Sequence, residues 1–187
     1  INMAEQDNFD WVNKSDYCGR IMKGDFSESL KKKLSEYIAV FQKFNTLGSP
    51  VIPYISAWLK DSRSEIWFEF AGTGLLDLLN CSAHDAARIF GSSIITRCSF
   101  SAQDENNFIR EILSAEEVGA IRQKLRWESQ EKGAVEAVYQ LILPSGTSVW
   151  LKDQATVKHY ESDEVFLSLG FLTFVTGEMN AAELKIK

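Results

Sequence analysis

Few side chains in this sequence have the type and spacing that chemistry needs. Histidine, the usual neutral-pH base, occurs only as His84 and His159. Nucleophilic catalysis needs a Ser or Cys within reach of a His that a carboxylate orients, and neither histidine sits in an elbow or triad motif. Asp153 and His159 fall on the strand alternation that carries Val149, Leu151, Ala155 and Val157. They are therefore the acid and base to test for a small α+β enzyme, the third of three readings. Cys81 and His84 could share a short helical face, but two ligands without a second pair do not close a zinc site. A buried Cys and a surface or capping His are expected there, with no metal. Gly72-Thr73-Gly74 lacks the lysine and the length of a phosphate-binding Walker loop and reads as a tight strand-to-helix turn. No residue is assigned a catalytic role, and the chain is expected to be non-catalytic.

Composition narrows the class further. At 187 residues the chain suits one domain plus a terminal extension. Its 45% hydrophobic and 12% aromatic content argues for a folded globule rather than a disordered tail. The net charge of −6 disfavours a nucleic-acid surface, which needs clustered Lys and Arg. Lys31-Lys32-Lys33 lies among acidic neighbours in a helical pattern and reads as a solvated face. No run approaches the ~20 apolar residues of a membrane span, and the amino terminus lacks a signal-peptide layout. Cys18, Cys81 and Cys98 are odd in number and show no Cys-x-x-Cys spacing. A reduced, cytoplasmic setting without membrane contact is expected.

The elements that must position these residues follow from periodicity. Residues 1–26 read as a polar, partly ordered leader. Over 27–48, Leu30, Leu34, Tyr37, Ile38, Phe41 and Phe44 recur at helical steps, which predicts an amphipathic helix ending before Gly48-Ser49-Pro50. Val51–Leu59 and Glu65–Phe70 read as a strand pair across a charged turn. Short helices follow through Leu75–Leu79 and Ala83–Phe90, the second with an approximate capping box of Ser82 and Asp85. Ser99–Asn107 is polar and loop-like, and the stretch Phe100–Leu113 fits no element. Ser114 with Glu117 caps a helix expected to run to Ser129, with Val118, Ile121 and Leu125 as its apolar stripe. Ala134–Leu143, Thr147–Tyr160 and Glu164–Thr176 then read as three consecutive strands. Pro144-Ser145-Gly146 makes the first turn, because Pro144 presets its φ and Gly146 accepts a positive one.

This last third, with Tyr139-Gln140-Leu141-Ile142-Leu143-Pro144-Ser145-Gly146 leading into Val149-Trp150-Leu151-Lys152-Asp153, resembles the carboxy-terminal half of a PAS domain. In that family the turn is commonly Pro-Asp-Gly, and the next strand opens with Trp and a basic residue. The last strand ends on an Asp-Ile-Thr-like signature, where this chain has Thr173-Phe174-Val175-Thr176. Asn80-Cys81-Ser82-Ala83-His84-Asp85 is similar to the family's Gly-Tyr-Ser-Pro-Glu-Glu elbow between two short helices. Phe174 stands where the family has the signature aspartate, which puts the family's carboxylate relay in doubt and leaves a packing-based relay through Phe174 and Thr176 as the alternative.

The resemblance implies an α+β fold: a five-stranded antiparallel sheet, small helices on one face and the amino-terminal helix on the other. It places the PAS-like domain at 49–178 and the start of an exit helix at 179–187. It implies a non-catalytic sensory input module of a bacterial-type signalling protein. Such a module binds a small ligand or a partner and relays the change to an output domain such as a histidine kinase, a diguanylate cyclase or a transcription factor. Phe70, Phe90, Tyr139, Asp153 and His159 are the pocket candidates, with Asp153 favouring a donor-bearing or cationic ligand. Cofactor identity stays unknown. Flavin lacks its motif, since Cys81 precedes Ser82-Ala83 rather than Arg-Phe and lies elsewhere along the fold. Haem lacks a histidine in the Ser114–Ser129 helix. The last strand is apolar on both faces, which requires cover on both. The stripe of Leu30, Leu34 and Phe41 supplies that cover or a homodimer surface. The second reading is an interaction or dimerisation module whose core is filled and takes no ligand.

Overall fold

Seven strands form one antiparallel sheet in the order β2-β1-β7-β6-β5-β3-β4. The computed structural model describes residues 19–45, 49–61, 65–99 and 111–186. The elements run α1 (Arg20–Lys23), α2 (Glu28–Gln42), β1 (Val51–Leu59), β2 (Trp67–Ala71), α3 (Thr73–Leu79) and α4 (Ala83–Ser93). They continue with β3 (Ile94–Ser99), β4 (Glu111–Ser114), α5 (Ala115–Ala120), α6 (Arg122–Lys132), β5 (Ala134–Ile142), β6 (Ser148–Tyr160), β7 (Val165–Phe174) and α7 (Thr176–Ile186). The α+β class and the disposition of helices on the two faces are as expected. The sheet is larger by two strands. Ile94-Ile95-Thr96-Arg97-Cys98 is a β-branched run that pairs with the free edge of β5, and β4 adds to it in turn. Residues 100–110, part of the stretch expected to be a loop, lie outside the described residues.

The final three strands sit within two residues of their expected bounds. Their first turn closes as the Pro-Ser-Gly chemistry dictates: Gly146 has φ 84° and its N–H donates to the Leu143 carbonyl at 2.8 Å. Ser114 and Glu117 form a true capping box, but the helix they start breaks at Ile121 into α5 and α6. The other proposed box does not form. Ser82 donates its hydroxyl to the Asp85 carboxylate at 3.4 Å and caps no backbone amide.

Strand alternation divides the apolar residues into two layers. Odd positions of β1 and β7, including Ile55, Ala57, Val165 and Leu167, face α2, where they meet Leu30, Leu34, Ile38 and Phe41. Phe41 stacks on Phe171 at 5.1 Å. The stripe proposed as sheet cover or dimer surface is thus buried by the chain's own sheet, with Leu34 fully enclosed. A distant carboxylate fixes the start of this helix. Asp163, in the turn between β6 and β7, accepts from both the N–H and the hydroxyl of Ser27 at 2.6 Å, while the Ser27 Oγ accepts from the Leu30 N–H.

The stretch read as leader also enters the core, for Ile21 of α1 is fully buried. In β2 the pairing shifts between Ile55 and Ser56, leaving Glu69 as the extra residue of a β-bulge. Its enclosed carboxylate accepts from the Ile21 N–H at 2.9 Å and from the Trp67 indole at 2.7 Å. Arg20 completes the attachment by lying 4.2 Å over the Trp67 ring.

Truncating Leu34 removes packing that no neighbour can restore. Leu34→Ala is expected to lower unfolding free energy by about 2–5 kcal/mol. Urea titration measures the loss, and a variant as stable as wild type would contradict the assignment of this stripe to the core.

Candidate functional site

The described residues cover the opposite face of the sheet only in part, and between it and α4, α5 and α6 lies a cleft of about 690 Å³. Even positions of β1 and β7 and odd positions of β5 and β6 supply its floor. Phe90 of α4 forms one wall, while Val118 and Leu125 of α5 and α6 border the other side. Four rings meet edge to face along this wall. Tyr54 packs on Phe68 at 5.5 Å, Phe68 on Phe90 at 6.1 Å, and Phe90 on Tyr139 at 5.6 Å.

At the floor stands one buried acid. The Tyr54 hydroxyl donates to Asp153 Oδ1 at 2.6 Å and lies 3.5 Å from the Ser168 hydroxyl. Tyr54 belongs to β1 and Asp153 to β6, with β7 between them, so the phenol must cross a whole strand. Gly170 makes that crossing possible. It is the β7 partner of both Tyr54 and Ala155, and a Cβ there would stand 2.6 Å from the Ala155 Cβ and 2.9 Å from the Tyr54 hydroxyl.

Burial dominates the electrostatics. It pushes Asp153 up from 3.8 to about 7, against the opposing pull of the Tyr54 hydrogen bond and the Arg97 charge. Burial, reinforced by Asp153, raises Tyr54 well above the usual phenol range. The same two causes push Tyr139 up to about 12, held back by the charge of Arg97 and a hydrogen bond with it. The cluster therefore presents a donor and acceptor that titrates near neutrality, two phenols that keep their protons, and one guanidinium. Trp58 also lines the cleft, and its indole N–H is buried with no acceptor among the described residues.

Phe90, Tyr139 and Asp153 all line this cleft, whereas two further candidates do not. Phe70 points to the other side of the sheet, because the Glu69 bulge interrupts the alternation, and it is enclosed among the residues under α2. His159 lies further along β6. Its exposed ring stacks on Phe166 at 4.2 Å, and Phe166 stacks on Trp58 at 5.6 Å. Six residues of strand separate Asp153 from His159, roughly 20 Å at about 3.3 Å per residue. The two do not meet as an acid and a base.

Other motifs have structural occupations. Gly72-Thr73-Gly74 turns from β2 into α3: the Gly72 N–H donates to the Pro53 carbonyl at 2.8 Å and the Thr73 N–H to Asn45 Oδ1 at 2.8 Å. Among the described residues no group of His, Cys, Asp and Glu is arranged to hold a metal. Cys81 is half-buried, which raises its thiol above the usual range. No helix among the described residues is long and apolar enough to cross a membrane.

Tyr54, Arg97, Ser168 and Gly170 escaped the sequence reading. Tyr54 sat in an apolar run and Arg97 beside an unassigned stretch. A usable signal did exist: Ser168 and Gly170 are small residues on one alternation of a strand otherwise crowded with Leu and Phe.

The arrangement is PAS-like. The antiparallel sheet carries small helices on one face and α2 on the other, a helical segment precedes the last three strands, and a helix leaves after them. No family model matches the chain, and no curated protein is similar to it in sequence. Among solved structures it is similar to the N-terminal domain of a diguanylate cyclase with PAS/PAC sensor from Marinobacter aquaeolei. That likeness has 20% identity and a TM-score of 0.44, over 69% of this chain and 98% of that one. A sensory box histidine kinase/response regulator from Burkholderia thailandensis matches at 8% identity and TM-score 0.41, over 81% of this chain and 93% of that one. The PAS domain of the fruit-fly ELK potassium channel matches at 11% identity and TM-score 0.40, over 80% and 99% respectively. These are distant likenesses of fold.

Asp153 makes stability depend on pH. The native protein holds this proton over a range where the unfolded chain, titrating near 3.8, has released it. Stability from this site is therefore present in acid and lost as pH rises through about 7. Asp153→Asn stays neutral and is expected to gain on wild type by up to about 4 kcal/mol above pH 7, at ~1.4 kcal/mol per pH unit. Urea titrations of both proteins in acid and in mild alkali measure the gap. A gap that does not change with pH would contradict the burial of this carboxyl.

Proposed function

We propose that this chain is a non-catalytic sensory input domain that takes a small organic molecule in the cleft between its sheet and α4–α6. The observation that carries this reading is the cleft itself. It has the volume of a small-molecule site, mainly apolar walls and a few convergent polar anchors at Asp153, Tyr54 and Arg97. The output would be a further domain of the parent protein, reached through α7.

The path from cleft to α7 is short. β6 carries Asp153 on the cleft face and Trp150, three residues earlier, on the other. The Trp150 N–H donates to Thr176 Oγ1 and its carbonyl accepts from the Val175 N–H, both at 3.0 Å. The indole packs with Cys98, Val138 and Met179. A ligand that displaces Asp153 thus acts on the strand that anchors the start of α7. It shifts the protein between two arrangements only by its difference in affinity for them.

Native mass spectrometry beside a denatured control is expected to find a retained small molecule, and a metabolite library is expected to contain compounds that raise the melting temperature. Hydrogen exchange at the first turn of α7 should slow when such a compound binds. Bare masses together with no thermal shift would sink the ligand reading.

Self-association is a second reading with its own observation. Val40 in the last turn of α2 and Phe44 just beyond it remain 50% and 46% exposed although the helix's inner stripe is buried. If they form a homodimer contact, Val40→Glu with Phe44→Glu should yield monomers in sedimentation experiments while the fold persists. An unchanged mass would remove this surface from consideration.

A further inference from the structure

The charges around the cleft differ in sign from the chain as a whole. The sequence carries a net −6, yet among the described residues the cleft is bordered by Arg88, Arg97, Arg122 and Arg126 against Glu65 and Asp153. Arg88 is engaged by Asp85 at 3.2 Å. Arg97 and Arg122 form no ion pair with any described residue. Arg97 hydrogen-bonds the Tyr139 hydroxyl and acts on Asp153, which is partly neutral near pH 7 and so offsets its charge incompletely. Arg122 and Arg126 stand one helical turn apart on α6, where like charges repel. Their repulsion and the burial of Arg126 both disfavour the Arg126 cation, burial being the larger effect. Since α5 packs against β3, the start of α6 lies on the same side of the cleft as Arg97.

An anion bound here would give Arg97 and Arg122 the ion pair that no described residue supplies. Guanidinium groups bind carboxylates through paired, charge-assisted hydrogen bonds. A doubly charged phosphate fits less well, because Glu65 and Asp153 share the lining. The remaining surface asks for a flat apolar body, since Phe90, Tyr139 and Trp58 offer ring faces and edges.

We infer that the cleft takes an aromatic molecule bearing a single carboxylate, with its head toward Arg97 and Arg122 and its ring among Trp58, Phe90 and Tyr139. This deepens the ligand-binding reading and rests on it. The acid at Asp153 then serves as a hydrogen-bonding anchor for the body of the ligand, while the arginines select its charge.

Three probes share one ring system and differ in the charge of the head: indoleacetate, indoleacetamide and tryptamine. Isothermal titration of the full chain is expected to show indoleacetate binding about tenfold more tightly than either of the others, as a charge-assisted bond implies. Its affinity should fall as salt is raised. Arg122→Gln, on the exposed side of α6, should erase most of this advantage by weakening indoleacetate far more than indoleacetamide. Arg97→Gln tests the partner on β3, and the Arg122 variant keeps the test decisive if that protein folds poorly. Equal or tighter binding of the amide or the amine would overturn the anionic assignment while leaving a ligand-binding cleft. Failure of all three probes to bind would also overturn it. A retained mass in native spectrometry judges the broader reading separately.

Discussion

The hydrogen bond from Tyr54 to Asp153 has one requirement that shapes the centre of the sheet: the strand between the two must have no side chain at the crossing point. Gly170 meets it. The phenol lies across β7 and ties β1 to β6 above the backbone ladder, a connection that ordinary strand pairing does not make. It also keeps the carboxyl under an apolar cover and holds a donor against it, so the acid is at once buried and hydrogen-bonded. A larger residue at this place would push the tyrosine off the floor, and the cleft would lose its polar anchor and its shape together.

The two faces of the sheet divide the work. One is closed by α2, whose apolar stripe meets β1 and β7 and whose first turn is fixed by Asp163 from the turn between β6 and β7. The other keeps small or polar side chains, Ser56, Asp153, Ser168 and Gly170, where large ones would have filled the space. Rigidity on one face and room on the other come from the same strands, because alternation lets each strand present a different set to each side.

Much of this was legible in the sequence. The last three strands and the tight turn announced themselves through alternation and through Pro144 and Gly146. The helix under the sheet followed from the spacing of Leu30, Leu34, Ile38 and Phe41. Periodicity failed where the backbone broke it. The bulge at Glu69 turned Phe70 to the other face, and Ile121 ended a helix expected to continue. The pair β3 and β4 was hidden because its partner edge on β5 is distant in sequence, and no local pattern shows that an edge is free. The site was legible only in part. Asp153 stood out as an acid on an apolar face, but its partner Tyr54 lies 99 residues away and the arginines come from three separate elements. Such a cluster is produced by folding and leaves no compact motif.

The indoles fall in different parts of the molecule. Trp58 forms part of the cleft lining beside the Phe166 stack, Trp67 is fastened to Glu69 at the attachment of α1, Trp150 lies beneath α7, and Trp127 stands 59% exposed on α6. The cleft, the attachment of α1 and the start of α7 thus each carry their own chromophore in different surroundings. Emission from single-tryptophan versions of this chain would separate events in the cleft from events at either end, with no foreign label in the packing.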